Sequence, residues 1–427
     1  MEAVAENQLP IWRSMAILPL LAVMLKCAGV TFSSDQNIAF GDMLAGSNGV
    51  SPAARVMDYC TFVLLLALIV PCYRSIVKAY HDNMVLTVLV VLAPLSIFWS
   101  QDPVLTTKNS LWLILTVSLA LFIAKTMSAQ QQMQLIMATG AAAGVLTIAA
   151  VFMFPSIGLD RLHDNVWQGL FTSKNHLGRI ALYFLTPAVH YSASTKGALW
   201  FKRSYIVLML LLIVMSGSRS AWIYTILYLL LASVMVLANK VTQRQRLLVV
   251  TAIAMTGAAA ALIAIVNLNT LLGLVGRDAT FSSRTVIWQV LMQSVEKRPL
   301  LGFGYQAFWA GTSSEAMNAL MVIYARIRFL ASYAHSGYLA VLLENGAVGL
   351  ALIIILSLQA GKSAIVCFRT SHDSSVHWYI GLIVLTLAYN FDEVIFMLPS
   401  YLPWMMFILA CVMLRQEATC LRTADLA

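Results

Sequence analysis

The sequence predicts an all-α, polytopic membrane protein with about twelve transmembrane helices and a large external loop containing amphipathic helical segments. Three observations carry that reading. Of the 427 residues, 60% are hydrophobic and only 11% are charged, with a mean hydropathy of +0.82, a balance no ordinary soluble domain has. The apolar residues come in repeated runs of roughly 17–25, the length that crosses a hydrocarbon core as a helix. Short basic connections separate many of these runs.

In chain order the spans fall near 14–32, 56–76, 83–99, 109–126, 133–154, 177–193, 203–217, 219–238, 247–266, 333–359, 376–391 and 398–415. The first run carries Lys26 and lacks a small-residue cleavage site, so it reads as a retained span rather than a signal peptide. The seventh and eighth runs are the least secure division, with only Ser216–Arg219 between them. No internal repeat stands out, and residues 1–427 read as one integral membrane domain with external loops at 155–179 and 267–332. Cys27, Cys60, Cys72, Cys367, Cys411 and Cys420 show neither metal-ligand spacing nor a disulfide framework. They read as small hydrophobes.

Charge sets the orientation. Arg74, Lys78, Lys125, Lys196, Lys202, Arg203, Lys240, Arg244, Arg246, Lys362 and Arg369 all fall on one side of this layout. The positive-inside rule makes that side cytoplasmic, and both termini with it. On the opposite side, apart from Arg55 and Lys108, basic residues concentrate around 155–179, at Arg219 and in 267–332. Cations stationed outside against that bias point to an anionic ligand, although long translocated loops also escape the rule.

The external loops then supply candidates. In the largest, Ser283 is placed to cap a helix that Pro299 ends, with Ile287, Leu291 and Val295 on one stripe. That helix is expected to be amphipathic and to lie on the membrane surface. Arg277 and Arg284 flank its start, where the helix dipole also favours an anion; a pairing of Arg284 with Asp278 is the structural alternative. Lys174, His176 and Arg179 cluster where another loop re-enters an apolar run, which is costly unless they face a wet cavity or snorkel to lipid phosphates. Ser216-Gly217-Ser218-Arg219 breaks two apolar runs and offers a Ser N-cap with a cation beside it, a compact phosphate cradle.

His335 sits where a polar stretch re-enters an apolar one, near the external interface, and such an ionisable residue reads as a working one. Glu344 is nine residues on, some 13 Å deeper and on nearly the opposite face of an ideal helix, which argues against a direct relay. Glu344 is expected instead to tie this helix to a neighbour, with Gly346 and Gly349 allowing close approach. Tyr338 follows His335 by three residues as a supporting side chain. Asp392 and Glu393 form an external acidic pair able to orient His335 or the external arginines.

These motifs together resemble the O-antigen ligase/polymerase (Wzy/WaaL-type) superfamily, and within it the ExoQ-type exopolysaccharide polymerases. The resemblance rests on Gly-Arg-Asp-Ala-Thr-Phe-Ser-Ser-Arg-Thr-Val-Ile-Trp, then Arg-Pro-Leu-Leu-Gly-Phe-Gly-Tyr, then Ala-His-Ser-Gly-Tyr-Leu and Glu-Asn-Gly. Ser-Gly-Ser-Arg-Ser-Ala and Phe-Thr-Ser-Lys-Asn-His-Leu-Gly fit the same pattern, so the motifs run from about 166 to 397. It implies glycosyl transfer at the outer face of a bacterial inner membrane, from a saccharide on undecaprenyl pyrophosphate. It also implies that Arg219 and Arg284 hold the pyrophosphate and that His335 acts on the acceptor hydroxyl. The family often has Asn where this chain has Ser336, and Gly where it has Ser283.

The expectation is therefore a polymerase of lipid-linked repeat units that inverts the anomeric centre. It needs no cofactor or metal, because fixed cations offset the charge on the leaving pyrophosphate. Arg219, Arg284, Arg277, Lys174 and Arg179 would do this, with His335 as base. Expected partners are membrane lipid, the lipid-linked oligosaccharide, a chain-length regulator and a flippase, and no nucleic acid. A ligase acting on lipid A–core would share every residue, and a lipid-linked sugar flippase is the non-enzymatic rival.

Overall fold

A computed structural model describes residues 17–30, 52–161, 165–238, 241, 245, 284–310, 313–328 and 333–424. The helices are α1 (Ile17–Cys27), α2 (Pro52–Ile69), α3 (Tyr73–Asp82), α4 (Met84–Leu95), α5 (Pro103–Thr126), α6 (Ala129–Met153), α7 (Pro155–Gly158) and α8 (Lys174–His190). They continue with α9 (Lys196–Met215), α10 (Arg219–Ala238), α11 (Arg284–Lys297), α12 (Ser314–Ile327), α13 (Gly337–Thr370), α14 (Ser374–Tyr389) and α15 (Leu402–Ala424). Every expected span falls on a helix except 247–266, which lies outside the described residues. Among the described residues, seven segments are long and apolar enough to cross a membrane, and Leu18–Cys27, Met84–Phe98 and Ser374–Tyr389 are shorter apolar helices. The protein is an all-α polytopic membrane protein.

Local chemistry sets several helix ends. Asp102 accepts from the Leu105 amide at 2.9 Å and Pro103 opens α5, while Ser128 and Gln131 form a capping box on α6. The connection expected around Arg74 and Lys78 is itself helical, because α3 follows α2 after a single 3-10 turn. The segment expected as a loop at 155–179 contains a small antiparallel ribbon, β1 (Leu159–Asp160) with β2 (Val166–Trp167), which pairs Leu159 with Trp167.

Among the described residues, two main cores organise these elements, with a small third cluster of Met235, Ala238 and Phe368. The larger belongs to the membrane bundle and includes Tyr183, Phe184, Trp378, Trp404 and Phe407. Large apolar side chains such as Val207, Val214, Ile223 and Ile226 remain more than half exposed on α9 and α10. A patch of that kind needs lipid to cover it. The smaller main core forms a cap on the bundle, in which Ile287, Leu291 and Val295 of α11 pack with Ala319 and Ile323 of α12 and Leu339 and Leu343 of α13. The expected α11 stripe is present, but it faces protein rather than the membrane surface, because Ile287, Leu291 and Val295 are buried against α12 and α13. Glu315 fastens the pair of cap helices, accepting from Ser294 Oγ and Lys297 Nζ, both at 2.8 Å.

Cap and bundle meet at a break in α13. Gly346 has φ +63° and ψ −165°, so the helix is two half-helices joined by one left-handed residue. A helix end leaves unpaired amides and carbonyls, which are costly away from water. The segment 299–304 supplies partners for both halves. Phe303 and Gly304 amides donate to the Leu343 and Glu344 carbonyls at 2.8 and 3.0 Å. The Ala347 and Val348 amides donate to the Pro299 and Leu300 carbonyls at 2.8 and 3.2 Å. A Cβ at Gly346 would meet the Leu300 carbonyl group, and one at Gly302 would come within 2.6 Å of the Glu344 carbonyl carbon. Gly302-Phe303-Gly304 is therefore a backbone splint.

The close approach expected at Gly346 is real, but its partner is this loop rather than a neighbouring helix. At Gly349 a Cβ would meet Asn345 of the same helix. His335 and Glu344 both precede this break; the ideal-helix geometry applied to them fails at the other end, because α13 begins at Gly337 and His335 lies ahead of its N-cap. The splint is also tied to the bundle: Trp99 Nε1 donates to the Leu301 carbonyl at 3.1 Å, and Tyr305 Oη donates to the Met397 carbonyl at 2.5 Å.

Candidate functional site

His335 lies one residue ahead of the α13 N-cap Ser336, in a left-handed backbone conformation with φ +49°. Few non-glycine residues adopt that conformation, and surrounding structure must enforce it. The enforcing contacts come from the turn between α14 and α15. The Gly337 amide donates to the carbonyls of Asn390 at 2.8 Å and Glu393 at 3.1 Å. Asn390 in turn accepts at Oδ1 from the Ile395 and Phe396 amides, at 3.1 and 3.0 Å, which shapes the turn itself. A Cβ at residue 337 would meet Asn390 Oδ1, so glycine is required there. The Trp288 indole N–H donates to the Ala334 carbonyl at 3.0 Å and holds the approach to His335 from the cap side.

That same turn presents Asp392 and Glu393. Arg179 of α8 donates to Glu393 Oε2 at 2.9 Å, and Arg284 at the start of α11 pairs with Asp392. The two pairs differ in burial. Arg179 and Glu393 have side-chain exposures of 11% and 4%, whereas Arg284 and Asp392 are at 23% and 19%. The Arg179 guanidinium also lies 5.9 and 5.6 Å from the ring centres of Tyr389 and Tyr401, a cation–π arrangement. Its Nε has no hydrogen-bond partner among the described residues.

The Tyr333 and His335 rings sit 4.0 Å apart. Burial lowers the His335 pKa to about 4; the Glu393 carboxylate acts in the opposite sense, and Arg284 and Arg179 lower it further. The imidazole is therefore neutral at neutral pH. Burial, and then the Glu393 charge, push the Tyr333 phenol well above its ordinary range.

A cavity of about 310 Å³ opens beside these groups, lined by residues including His176, Arg179, Gln306, Tyr333, Glu344 and Glu393. Its walls come from bundle and cap alike. Ser173 caps α8 by accepting from the His176 amide at 3.2 Å, and Thr172 Oγ1 meets His176 Nδ1 at 3.0 Å. Glu344 accepts from Gln306 Nε2 at 3.2 Å, so it is tied to the external loop rather than to another helix. Gln306 shares the left-handed backbone, with φ +55°.

The structure brings His335, Arg179, Arg284, Asp392 and Glu393 together, with His176 and Glu344 on the adjoining cavity wall. Lys174 is half-exposed at the first turn of α8 and is not on that wall. Arg219 is exposed at the first residue of α10, and its side chain makes no ion pair among the described residues. The turn before it packs closely: a Cβ at Gly178 would come within 2.7 Å of Ser216 Oγ. Tyr338 donates to the Leu387 carbonyl at 2.9 Å and packs on Phe391 and Phe396, so it anchors α13 to α14 away from the cavity. Arg277, Asp278 and Ser283 lie outside the described residues. Sequence reasoning missed Tyr333, Gln306, Asn390 and Tyr401. Tyr333 and Asn390 had a local signal, each lying two residues from a predicted site residue, His335 and Asp392.

Among the described residues, no group of three or more His, Cys, Asp or Glu side chains is arranged to hold a metal ion. What converges is two guanidiniums, two carboxylates and a neutral imidazole at one rim. Each guanidinium is paired with a carboxylate, so the cluster carries little net charge; its directed N–H donors beside a proton acceptor suit transfer from an anionic leaving group to a hydroxyl.

Comparison with known proteins gives these features a context. Residues 204–354 match the O-Antigen ligase family. Over 310 residues the chain is 27% identical to the exopolysaccharide production protein ExoQ of Rhizobium meliloti (strain 1021), covering 70% of this chain and 68% of that protein. The resemblance seen in the motifs is borne out.

Proposed function

We propose, from the premise that this chain is an ExoQ-like relative of the O-antigen ligase/polymerase family, that it polymerises lipid-linked oligosaccharide repeat units into exopolysaccharide. The donor is a saccharide on undecaprenyl pyrophosphate, and the reaction takes place at the outer face of the bacterial inner membrane. The observation that carries this reading is the pair of adjacent carboxylates, Asp392 and Glu393, holding Arg284 and Arg179 beside His335. Likeness to an exopolysaccharide production protein favours polymer over transfer to lipid A–core.

In this mechanism the imidazole of His335 takes the proton of the acceptor hydroxyl. The acceptor oxygen forms its bond to the anomeric carbon as the bond from that carbon to the pyrophosphate oxygen breaks. The electron pair leaves with the lipid pyrophosphate, and direct displacement inverts the anomeric centre. Arg284 is the more accessible guanidinium and offsets the charge gathering on the leaving group, as Arg219 would from α10. Arg179 is more deeply buried and sets the local field. Glu393 stabilises the imidazolium once it forms.

The test is His335→Ala in a polymer-deficient host. Loss of long chains, with the protein still inserted and single repeat units retained, is the expected result. Polymer of normal length from that variant would overturn the mechanism.

A further inference from the structure

The cap carries a second concavity that the transfer chemistry does not use. Where the Ile287, Leu291 and Val295 stripe of α11 is buried, Thr285, Gln289, Gln293 and Glu296 recur every three or four residues on the other side of that helix. With Trp288 and Met292, and with Arg326 of α12, they line an open groove of about 610 Å³. That volume is within the range of about 300–1,000 Å³ usual for ligand sites. From Thr285 to Glu296 the helix rises about 16 Å.

The groove begins at the candidate active site. Thr285 follows Arg284 directly, and Trp288, which lines the groove, donates to the backbone carbonyl next to His335 at 3.0 Å. A chain leaving His335 on the cap side therefore meets the groove first.

Its chemistry selects the occupant. Two primary amides each offer donors and an acceptor, which match sugar hydroxyls that do the same. An indole provides a flat apolar surface with a polar edge. One arginine and one glutamate leave little net charge for a phosphate headgroup, and polar Gln289, Gln293 and Glu296 interleaved with the apolar Trp288 and Met292 suit the alternating faces of a sugar better than a lipid tail. We infer that this groove of α11 and α12 binds the oligosaccharide of the acceptor chain and holds it in line with His335. The inference rests on the polymerase reading, because only growing glycan needs a track that starts at the transfer site.

The test uses the full-length protein in nanodiscs. The probe is a set of soluble oligosaccharides made by partial acid hydrolysis of the polymer that the producing strain secretes. Binding is followed by saturation-transfer NMR, and polymer length in cells by size-exclusion chromatography. Gln289→Ala/Gln293→Ala should weaken fragment binding about tenfold, equivalent to about 1.4 kcal/mol, and shorten the polymer. Gln293→Trp, which fills the groove, should do the same. Met321→Ala, at an exposed α12 position outside the groove, should bind as the unmodified protein does.

Equal binding by both groove variants, equal loss in Met321→Ala, or no binding by the unmodified protein would each overturn the assignment. Failure of the polymerase reading looks different. In that case His335→Ala keeps its polymer whether or not the groove variants lose the fragments.

Discussion

Replacing Glu393 with glutamine removes one charge and almost no volume, so it isolates the electrostatics of the buried pair. At 2.9 Å and an effective dielectric near 20, the gross attraction to Arg179 is about 6 kcal/mol. Most of that offsets the desolvation of two nearly inaccessible groups. Removing one partner strands the other, which costs about 3–5 kcal/mol. Lys297–Glu315 is the internal control: it has nearly the same separation, 2.8 Å, but its lysine is 59% exposed. A pair so exposed contributes about 0–1 kcal/mol, with about 1 more for the Ser294 hydrogen bond that Glu315 also accepts.

Reversible unfolding in mixed detergent micelles should therefore show Glu393→Gln losing clearly more stability than Glu315→Gln. The double variant Arg179→Gln/Glu393→Gln should recover at least about 2 kcal/mol of that loss, since no buried charge is left uncompensated. If Glu393→Gln costs no more than Glu315→Gln, or the double variant recovers nothing, the buried-pair reasoning fails.

Four further outcomes follow from the same geometry. Because the folded His335 pKa is lowered to about 4 from 6.5, folding favours the neutral ring. Its contribution to stability is intact above about 6.5 and is lost as the pH falls towards about 4, and His335→Asn should remove that acid-side loss in a pH-resolved melt. Polymerisation by the free enzyme should hold its rate down to about pH 5; a half-point at about 6.5 would contradict the buried imidazole. Arg284→Lys keeps a cation but not the planar fork, so turnover should fall roughly tenfold to a hundredfold with the protein still folded, measured on purified lipid-linked donor. Gly346→Ala puts an alanine at φ +63° and ψ −165°, a region essentially restricted to glycine, about 1–3 kcal/mol, with its Cβ against the Leu300 backbone, about 1–3 more. Limited proteolysis should then cut near 299–304 far faster than in the unmodified protein.

The sequence carried the membrane layout because hydropathy is local: a run of apolar residues announces a span without reference to the rest of the chain. The α11 stripe was legible for the same reason, yet nothing local distinguishes a stripe that faces protein from one that faces lipid. Asp392 and Glu393 were recognisable as partners for external arginines. Which arginine each takes was not, since Arg179 and Glu393 are 214 residues apart. The break at Gly346 lies inside a single 34-residue helical segment, where Glu-Asn-Gly is only a short interruption between apolar residues on either side. The splint at 299–304 gave only two glycines as a clue. Arg219 and Lys174 read as cradle residues from their settings, and the fold leaves both outside the cavity wall that holds Arg179.

Asp392 and Glu393 are consecutive, so one peptide unit, about 3.8 Å between Cα atoms, fixes the spacing of the two arginines that each holds. The α14–α15 turn thus works as a calliper between bundle and cap: Arg179 comes from one and Arg284 from the other. Side-chain swaps at either acid would loosen one jaw. A single residue inserted between them would reset both at once, and would move the Glu393 carbonyl that positions Gly337. The turn therefore tolerates changes of chemistry far better than changes of length.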